Sequence, residues 1–191
     1  MRLGYVGIRN YRGIRSLELS IDPVTTLIGE NAYGKSNLLD ALLACLGPGA
    51  SDGHFTFTAD DLGGDAGAPI EIELGFRETA ENEWTADAAC APLRPHVYIG
   101  RRNDRRISLR VRARPGAGEG EFLAATTAFL DGEGHTIGPS PTPDVVTLLR
   151  ARCPFLLLKA DRYFTRPSRS ATGGPNADSE SPRSRWAPHI R

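Results

Sequence analysis

The alternation of apolar and polar side chains is clearest at the start of the chain. Leu3–Ile8 and Ser16–Ile21 have the composition and alternation of short strands. Asn10–Gly13 between them is rich in residues that favour turns. The pattern therefore predicts an N-terminal β-hairpin.

A strand, a glycine loop and a helix are predicted next. Val24–Ile28 is β-branched and apolar, which favours a buried strand, and it stops at Gly29. From Lys35 the leucines recur with the period of a helix, which Gly47 and Pro48 end. The change of period from strand to helix thus falls across a short glycine-containing loop.

Three more strands are predicted in the middle of the chain. In Ile70–Phe76, apolar residues alternate with two glutamates and a glycine, so we expect a half-buried strand with an acidic outer face. Val97–Gly100 and Ile107–Ala113 also read as strands. Because successive side chains of a strand point to opposite faces, the last one has a polar face made of Arg106, Ser108, Arg110, Arg112 and Arg114.

The C-terminal third contains weaker patterns. Asp131–Gly134 predicts a hairpin loop, and Thr142 followed by Pro143 predicts a helix start, since threonine caps helices and proline suits the first helical position. Phe155–Leu158 favours a short buried strand. Residues 166–191 have too few apolar side chains to fold, so we expect a domain over residues 1–165 and a disordered tail.

Composition excludes several classes of protein. The three cysteines are odd in number and far apart, which fits neither a disulfide framework nor a zinc site and favours a reducing cytoplasm. The longest apolar stretch is far too short to span a membrane, so we expect no membrane partner. The four histidines have no spacing that predicts a metal site or a catalytic triad and are expected at the surface. Trp84 lies among polar residues in the sequence and indicates no function.

Charge is balanced overall but segregated along the chain. The 23 basic and 23 acidic side chains cancel, yet residues 51–93 contain ten acidic side chains and residues 94–114 contain eight basic ones. The strand face from Arg106 to Arg114 could follow a DNA backbone. Alternatively, Glu71 and Glu73 on a neighbouring strand neutralise it, and we favour this pairing.

The strongest chemical signal is the sequence from Gly29 to Ser36, which matches the P-loop pattern G-x-x-x-x-G-K-[ST]. Gly29 and Gly34 let backbone N–H groups approach a phosphate closely, and the following helix N-terminus favours an anion. Lys35 would supply a charge to the β- and γ-phosphates, and the Ser36 hydroxyl would bind Mg²⁺. The expected cofactors are therefore ATP and Mg²⁺.

The residues around this motif resemble a known family. The sequence from Gly29 to Leu42 is similar to the P-loop of the ABC-type ATPases of DNA repair and chromosome maintenance, and Asn10–Ile14 is similar to the segment that precedes it there. Phe57–Asp61, Ile70–Phe76 and Pro154–Phe164 resemble the N-terminal ATPase part of overcoming-lysogenization-defect (OLD) family endonucleases, with the YbjD-like branch fitting best. The resemblance covers about residues 1–165.

The resemblance implies an α/β P-loop NTPase lobe of the AAA/ABC type, with a mixed sheet around the P-loop helix. It implies a protein that dimerises around ATP and is joined to a C-terminal Toprim nuclease acting in DNA repair or phage defence. The implied nucleotide-binding residues are Gly29, Glu30, Asn31, Gly34, Lys35, Ser36, Asn37 and Arg12, with Ser36 as the metal ligand. The alternative for Arg12 is a solvated turn residue. Asn31 would bond the γ-phosphate or the attacking water, or would only suit the tight geometry of the loop.

Several parts of the family pattern are absent from the sequence. It contains no LSGG-like signature, no Toprim acid cluster and no Walker B acid in the expected place; Asp161 is the nearest imitation. We therefore assign no catalytic residue and expect ATP binding with little turnover by a chain truncated after its first lobe. The alternatives are a DNA-binding or dimerisation module with a vestigial P-loop, or a non-functional remnant. Asp60 and Asp61 could help hold Mg²⁺, but we expect solvated turn residues.

Overall fold

The N-terminal hairpin is confirmed in the computed structural model, which describes residues 1–30, 34–47, 54–101, 103–114 and 123–158. Strand β1 (Arg2–Tyr11) pairs antiparallel with β2 (Ile14–Ser20), and Tyr11 lies opposite Ile14 at the turn. The inward side chains of β1, including Val6 and Ile8, are fully buried.

The hairpin forms one edge of a six-stranded sheet. The other strands are β3 (Ile70–Arg77), β4 (Tyr98–Ile99), β5 (Arg105–Arg114) and β6 (Ala124–Leu130). Their order is β2-β1-β3-β5-β4, with β6 also pairing β5, and every described pair is antiparallel. The sequence predicted a mixed sheet around the P-loop helix; the described sheet is instead wholly antiparallel.

Helices cover the apolar face of the sheet. Helix α1 (Lys35–Leu46) and helix α3 (Pro143–Arg152) contribute buried side chains to the same core as β1, β3 and β5, whereas α2 (Glu83–Ala86) is a single turn. Two 3-10 segments, Ala59–Asp61 and Ala88–His96, complete the fold. The predicted α1 and α3 are therefore confirmed, and both pack through one apolar stripe.

Arg150 of α3 joins the two helices. Its Nε donates to the Cys45 carbonyl in the last turn of α1 at 2.9 Å, and its guanidinium lies 4.4 Å from the Phe55 ring centroid. The last carbonyls of a helix lack intrahelical partners, so a buried donor there satisfies a group that would otherwise be unpaired. Arg150 thereby fixes the C-terminal end of the P-loop helix.

Two predicted buried strands are absent. Residues 24–28 form no strand, and Val24 and Ile28 are 87% and 92% exposed. Residues 155–158 also lie outside any strand, with Leu156 74% exposed. An apolar run becomes a buried strand only when neighbours cover it, and the described residues supply no strand that pairs with either segment.

His96, which was expected at the surface, and Trp84, which lies among polar residues in the sequence, both belong to the interior. Trp84 is fully buried in the core, and His96 is buried with its ring stacked 4.0 Å from that of Phe129. Both lie in a segment without a regular apolar period, so the sequence offered no sign of their burial. His54 and His135 are exposed, as predicted.

Some predictions fall outside the described residues, namely those on Asn31, on Asp161 and on the tail 166–191. Within the described part of the chain, no helix is long and apolar enough to cross a membrane.

Candidate nucleotide-binding site

The start of α1 has the geometry that an anion site requires. Gly34 precedes the helix in the left-handed conformation, with φ of 80°, which favours glycine. Among the described residues, no side chain caps this helix end, and its first turn contains no acidic residue. The N–H groups of such a helix start and the positive end of the helix dipole favour a negatively charged ligand.

Lys35 folds back over the loop that leads into α1. Its Nζ donates to the carbonyl oxygens of Gly29 and Glu30, at 2.5 Å each. These contacts are exposed, so they can be exchanged for a phosphate at little cost. Ser36, the candidate Mg²⁺ ligand, is exposed on the first turn of α1. Lys35 and Ser36 thus lie where the P-loop pattern predicted them.

The hairpin turn packs against the first turn of α1. A Cβ atom added to Gly13 would lie 3.0 Å from Nδ2 of Asn37, and one added to Gly34 would lie 3.4 Å from Cγ1 of Ile14. This close approach brings Arg12, which precedes Gly13, beside the P-loop helix. Asn10–Ile14 and the P-loop, which only the family resemblance linked in the sequence, are therefore neighbours in the fold.

Arg12 is held by two carboxylates. It has a left-handed backbone with φ of 47°, which a non-glycine residue adopts only when its surroundings impose it. Its Nε donates to Oδ1 of Asp61 at 2.9 Å, and its Nη1 donates to Oδ2 of Asp40 at 2.7 Å. Partial burial acts to lower the pKa of Arg12, but the hydrogen bond to Asp61 and nearby charges outweigh it and raise the pKa, so the guanidinium stays charged.

The packing beneath Arg12 explains its fixed position. Its guanidinium lies 5.3 Å from the ring centroid of Tyr11, which in turn meets the Phe57 ring edge-on at 6.2 Å. Burial raises the pKa of Tyr11 to about 12, so the phenol remains neutral. The positive charge of Arg12 therefore rests on an uncharged aromatic surface, which favours it.

Asp61 differs from its predicted role as a solvated turn residue. It is buried, it pairs with Arg12, and it accepts hydrogen bonds from the backbone N–H and the hydroxyl of Thr58 at 3.0 and 3.3 Å. Its own carbonyl accepts from the Arg12 backbone N–H at 2.8 Å. Asp60, by contrast, is exposed as expected. Across the described ranges, no three acidic, histidine or cysteine side chains come together as a metal site.

Sequence reasoning missed Asp40 as a partner of Arg12. Asp40 lies within the motif that carried the resemblance, but its spacing along the chain gave no indication of a contact 28 residues away. For positions 60 and 61 the sequence favours solvated turn residues, with Mg²⁺ binding as the alternative, and gives no indication of a contact with Arg12. A contact between a turn, a helix and a 3-10 segment depends on the tertiary fold.

Two arginines of the β5 face lie opposite glutamates of β3. Arg112 lies opposite Glu71, with Nε 2.8 Å from Oε1, and Arg110 lies opposite Glu73. Ser108 donates to Glu73 at 2.8 Å. The antiparallel register thus aligns the acidic and basic faces, which supports the pairing alternative over a DNA surface.

The comparisons with known proteins place the chain in a family. The family described as Protein of unknown function (DUF2813) matches residues 1–185. The chain belongs to this family. It is also similar to the Escherichia coli (strain K12) protein described as Uncharacterized protein YbjD, with 32% identity over 177 residues. The match covers 87% of this chain but only 30% of YbjD, so the chain spans less than a third of that relative.

The fold is similar to that of a solved ATPase. A structure from work on ATP-driven dimerization and DNA-stimulated activation of SMC ATPases superposes with a TM-score of 0.50 at 14% sequence identity. The match covers 79% of each chain. At this identity the likeness shows a shared fold and no more.

Proposed function

We propose that this domain binds ATP with Mg²⁺ at the N-terminus of α1. The observation that carries the proposal is the uncapped helix start behind the left-handed Gly34, next to the Lys35 ammonium group. An uncapped helix N-terminus beside a mobile cation suits a polyphosphate. The likeness of the fold to that of an SMC ATPase supports this proposal.

Each site residue has a proposed task. Gly29, Gly34 and the backbone of Glu30 would lie against the phosphates, and Lys35 would exchange its carbonyl partners for phosphate oxygens. Ser36 would bind Mg²⁺, which neutralises phosphate charge when present. The remaining polar residues proposed for the site are Asn31, Asn37 and Arg12.

We further propose that the domain serves an OLD-like ATP-dependent DNA endonuclease and dimerises around ATP. The resemblance of about residues 1–165 to the N-terminal ATPase part of OLD-family endonucleases supports this assignment. Because the sequence contains no recognisable Walker B acid or signature motif, we expect slow hydrolysis by the chain alone. An acid that polarises the attacking water is a general requirement for fast turnover.

The test is titration of a fluorescent ATP analogue into the purified chain with Mg²⁺. Lys35→Ala should weaken binding by at least about tenfold, since it removes the charge that faces the phosphates. Lys159→Ala, which changes the only other lysine, is the matched control and should bind like wild type. Equal affinity of the wild type and Lys35→Ala would contradict the proposal.

A further inference from the structure

The two carboxylates that hold Arg12 are fixed to different degrees. The Asp61 side chain is 12% exposed and is also bonded to Thr58. The Asp40 side chain is 39% exposed, and Arg12 is its only hydrogen-bond or ion-pair partner among the described residues. Asp61 is therefore anchored within the fold, whereas Asp40 is partly solvated and another anion can replace it at Arg12.

Arg12 contacts these partners through different donors. Nε points to Asp61 and Nη1 points to Asp40, while Nη2 makes no hydrogen bond within the described part of the chain. A guanidinium is planar and presents five N–H donors in a fixed fork. The group can thus stay bound to Asp61 through Nε while its terminal nitrogens change partner.

The exchangeable side of Arg12 lies close to the P-loop. Asp40 follows Ser36 by four residues on α1, so the two share one side of the helix about one turn, or about 5.4 Å, apart. Gly13, which follows Arg12, packs against Asn37, and Asn37 lies between Ser36 and Asp40 in the sequence. An anion at the start of α1 would therefore come within reach of the long Arg12 side chain.

We infer that Asp61 is a positioning residue that aims Arg12 at the nucleotide, and that Asp40 is a built-in competitor that occupies the guanidinium until a phosphate displaces it. The inference rests on the proposed function. Carboxylate and phosphate oxygens compete for the same guanidinium donors. Binding of ATP would release Asp40 and leave the bond between Arg12 and Asp61 intact.

Two neutralising substitutions should act in opposite directions. Asp40→Asn removes the competitor and should tighten ATP binding about two- to fivefold, while Asp61→Asn loosens Arg12 and should weaken it by a similar factor. Asp60→Asn is the matched control, because Asp60 is exposed and has no partner among the described residues. A general electrostatic effect would instead make both variants bind ATP more tightly.

An Arg12→Ala background shows whether the two acids act through Arg12. In that background both substitutions should lose their effects on affinity, since residues that act through one partner are not additive. Thermal unfolding checks that each variant is folded. If Asp61→Asn does not fold, Thr58→Val replaces it, because it removes one hydrogen bond from Asp61 and should weaken ATP binding to a smaller extent.

The outcomes separate this inference from the proposed function. Suppose that ATP binding depends on Lys35, but the Asp40 and Asp61 variants shift the affinity in the same direction or keep their effects without Arg12. That result overturns only the inference. Unchanged ATP affinity in both variants also overturns only the inference. Absence of Lys35-dependent ATP binding overturns the proposed function and, with it, the inference.

Discussion

Individual residues at the site follow local rules that the sequence already contains. Gly34 occupies a left-handed conformation that costs glycine little, and Lys35 follows it at the start of the helix. The spacing of the P-loop pattern predicted both positions. Arg12 differs, because its conformation and its two partners are set by segments distant in sequence. Its surroundings could not be predicted from its neighbours along the chain.

His96 gives the fold a pH-dependent component. Burial lowers the pKa of His96 below its ordinary value of 6.5, although the backbone carbonyl of Ile137, which favours the protonated ring, opposes the shift. Its Nδ1 is buried and has no hydrogen-bond partner among the described residues. A histidine whose pKa is lower in the folded state stabilises the fold above its unfolded pKa, and that stability is lost as the pH falls.

We therefore expect the free energy of unfolding to fall between pH 7.5 and about pH 5. His96→Gln should be less stable at pH 7.5 because it loses the stack on Phe129, but its stability should change less over this pH range. Urea unfolding followed by fluorescence at several pH values measures both quantities. His54→Gln, at an exposed position, is the control and should keep the wild-type slope. An unchanged slope in His96→Gln would contradict the assignment.

At the scale of elements, amphipathic patterns predicted helices and strands correctly, whereas uniformly apolar runs predicted strands that the structure does not contain at those residues. The alternation in β3 and β5 predicted the apolar side chains that are buried, because one face of each strand packs on the core, although Ser108 on the polar face of β5 is buried as well. Val24–Ile28 has apolar side chains on both faces. Such a segment needs cover on both sides, and periodicity does not reveal whether the chain supplies it.

The exposure of residues 24–28 leads to a direct test. Ile28→Thr should change the free energy of unfolding by less than about 0.5 kcal/mol, because Ile28 is almost fully exposed. Ile72→Thr, the matched control at a fully buried position of β3, should cost about 2 kcal/mol or more. Urea unfolding of both variants provides the comparison. A large loss in Ile28→Thr would show that this segment is covered in the chain.

At the scale of the whole molecule, the zero net charge is the sum of all charged side chains, and some of these opposite charges also lie next to each other in the fold. Part of the acidic segment forms β3 and part of the basic segment forms β5, and these strands lie side by side in antiparallel register. Glutamates then face arginines across the two strands. An outer sheet face of this kind offers a polyanion little net attraction, so it does not favour the alternative of a DNA-binding module.

We accordingly expect no measurable binding of duplex DNA at about 150 mM salt in gel-shift assays without nucleotide. Any binding at low salt should be unaffected by the charge reversals Arg110→Glu and Arg112→Glu. Arg101→Glu, on an exposed turn, serves as the control for a general change in net charge. A steep salt dependence that both strand reversals abolish would instead assign a DNA surface to β5.

The sequence by itself determined the hairpin, the P-loop helix, the amphipathic strands and the residue types at the proposed nucleotide site. These features depend on periods of two or 3.6 residues and on short spacings, which are local properties. Only the tertiary structure decided that the described sheet is antiparallel, that Trp84 and His96 are buried, and that residues 24–28 are exposed. It also placed Arg12 between Asp40 and Asp61, because such contacts depend on which distant segments the fold brings together.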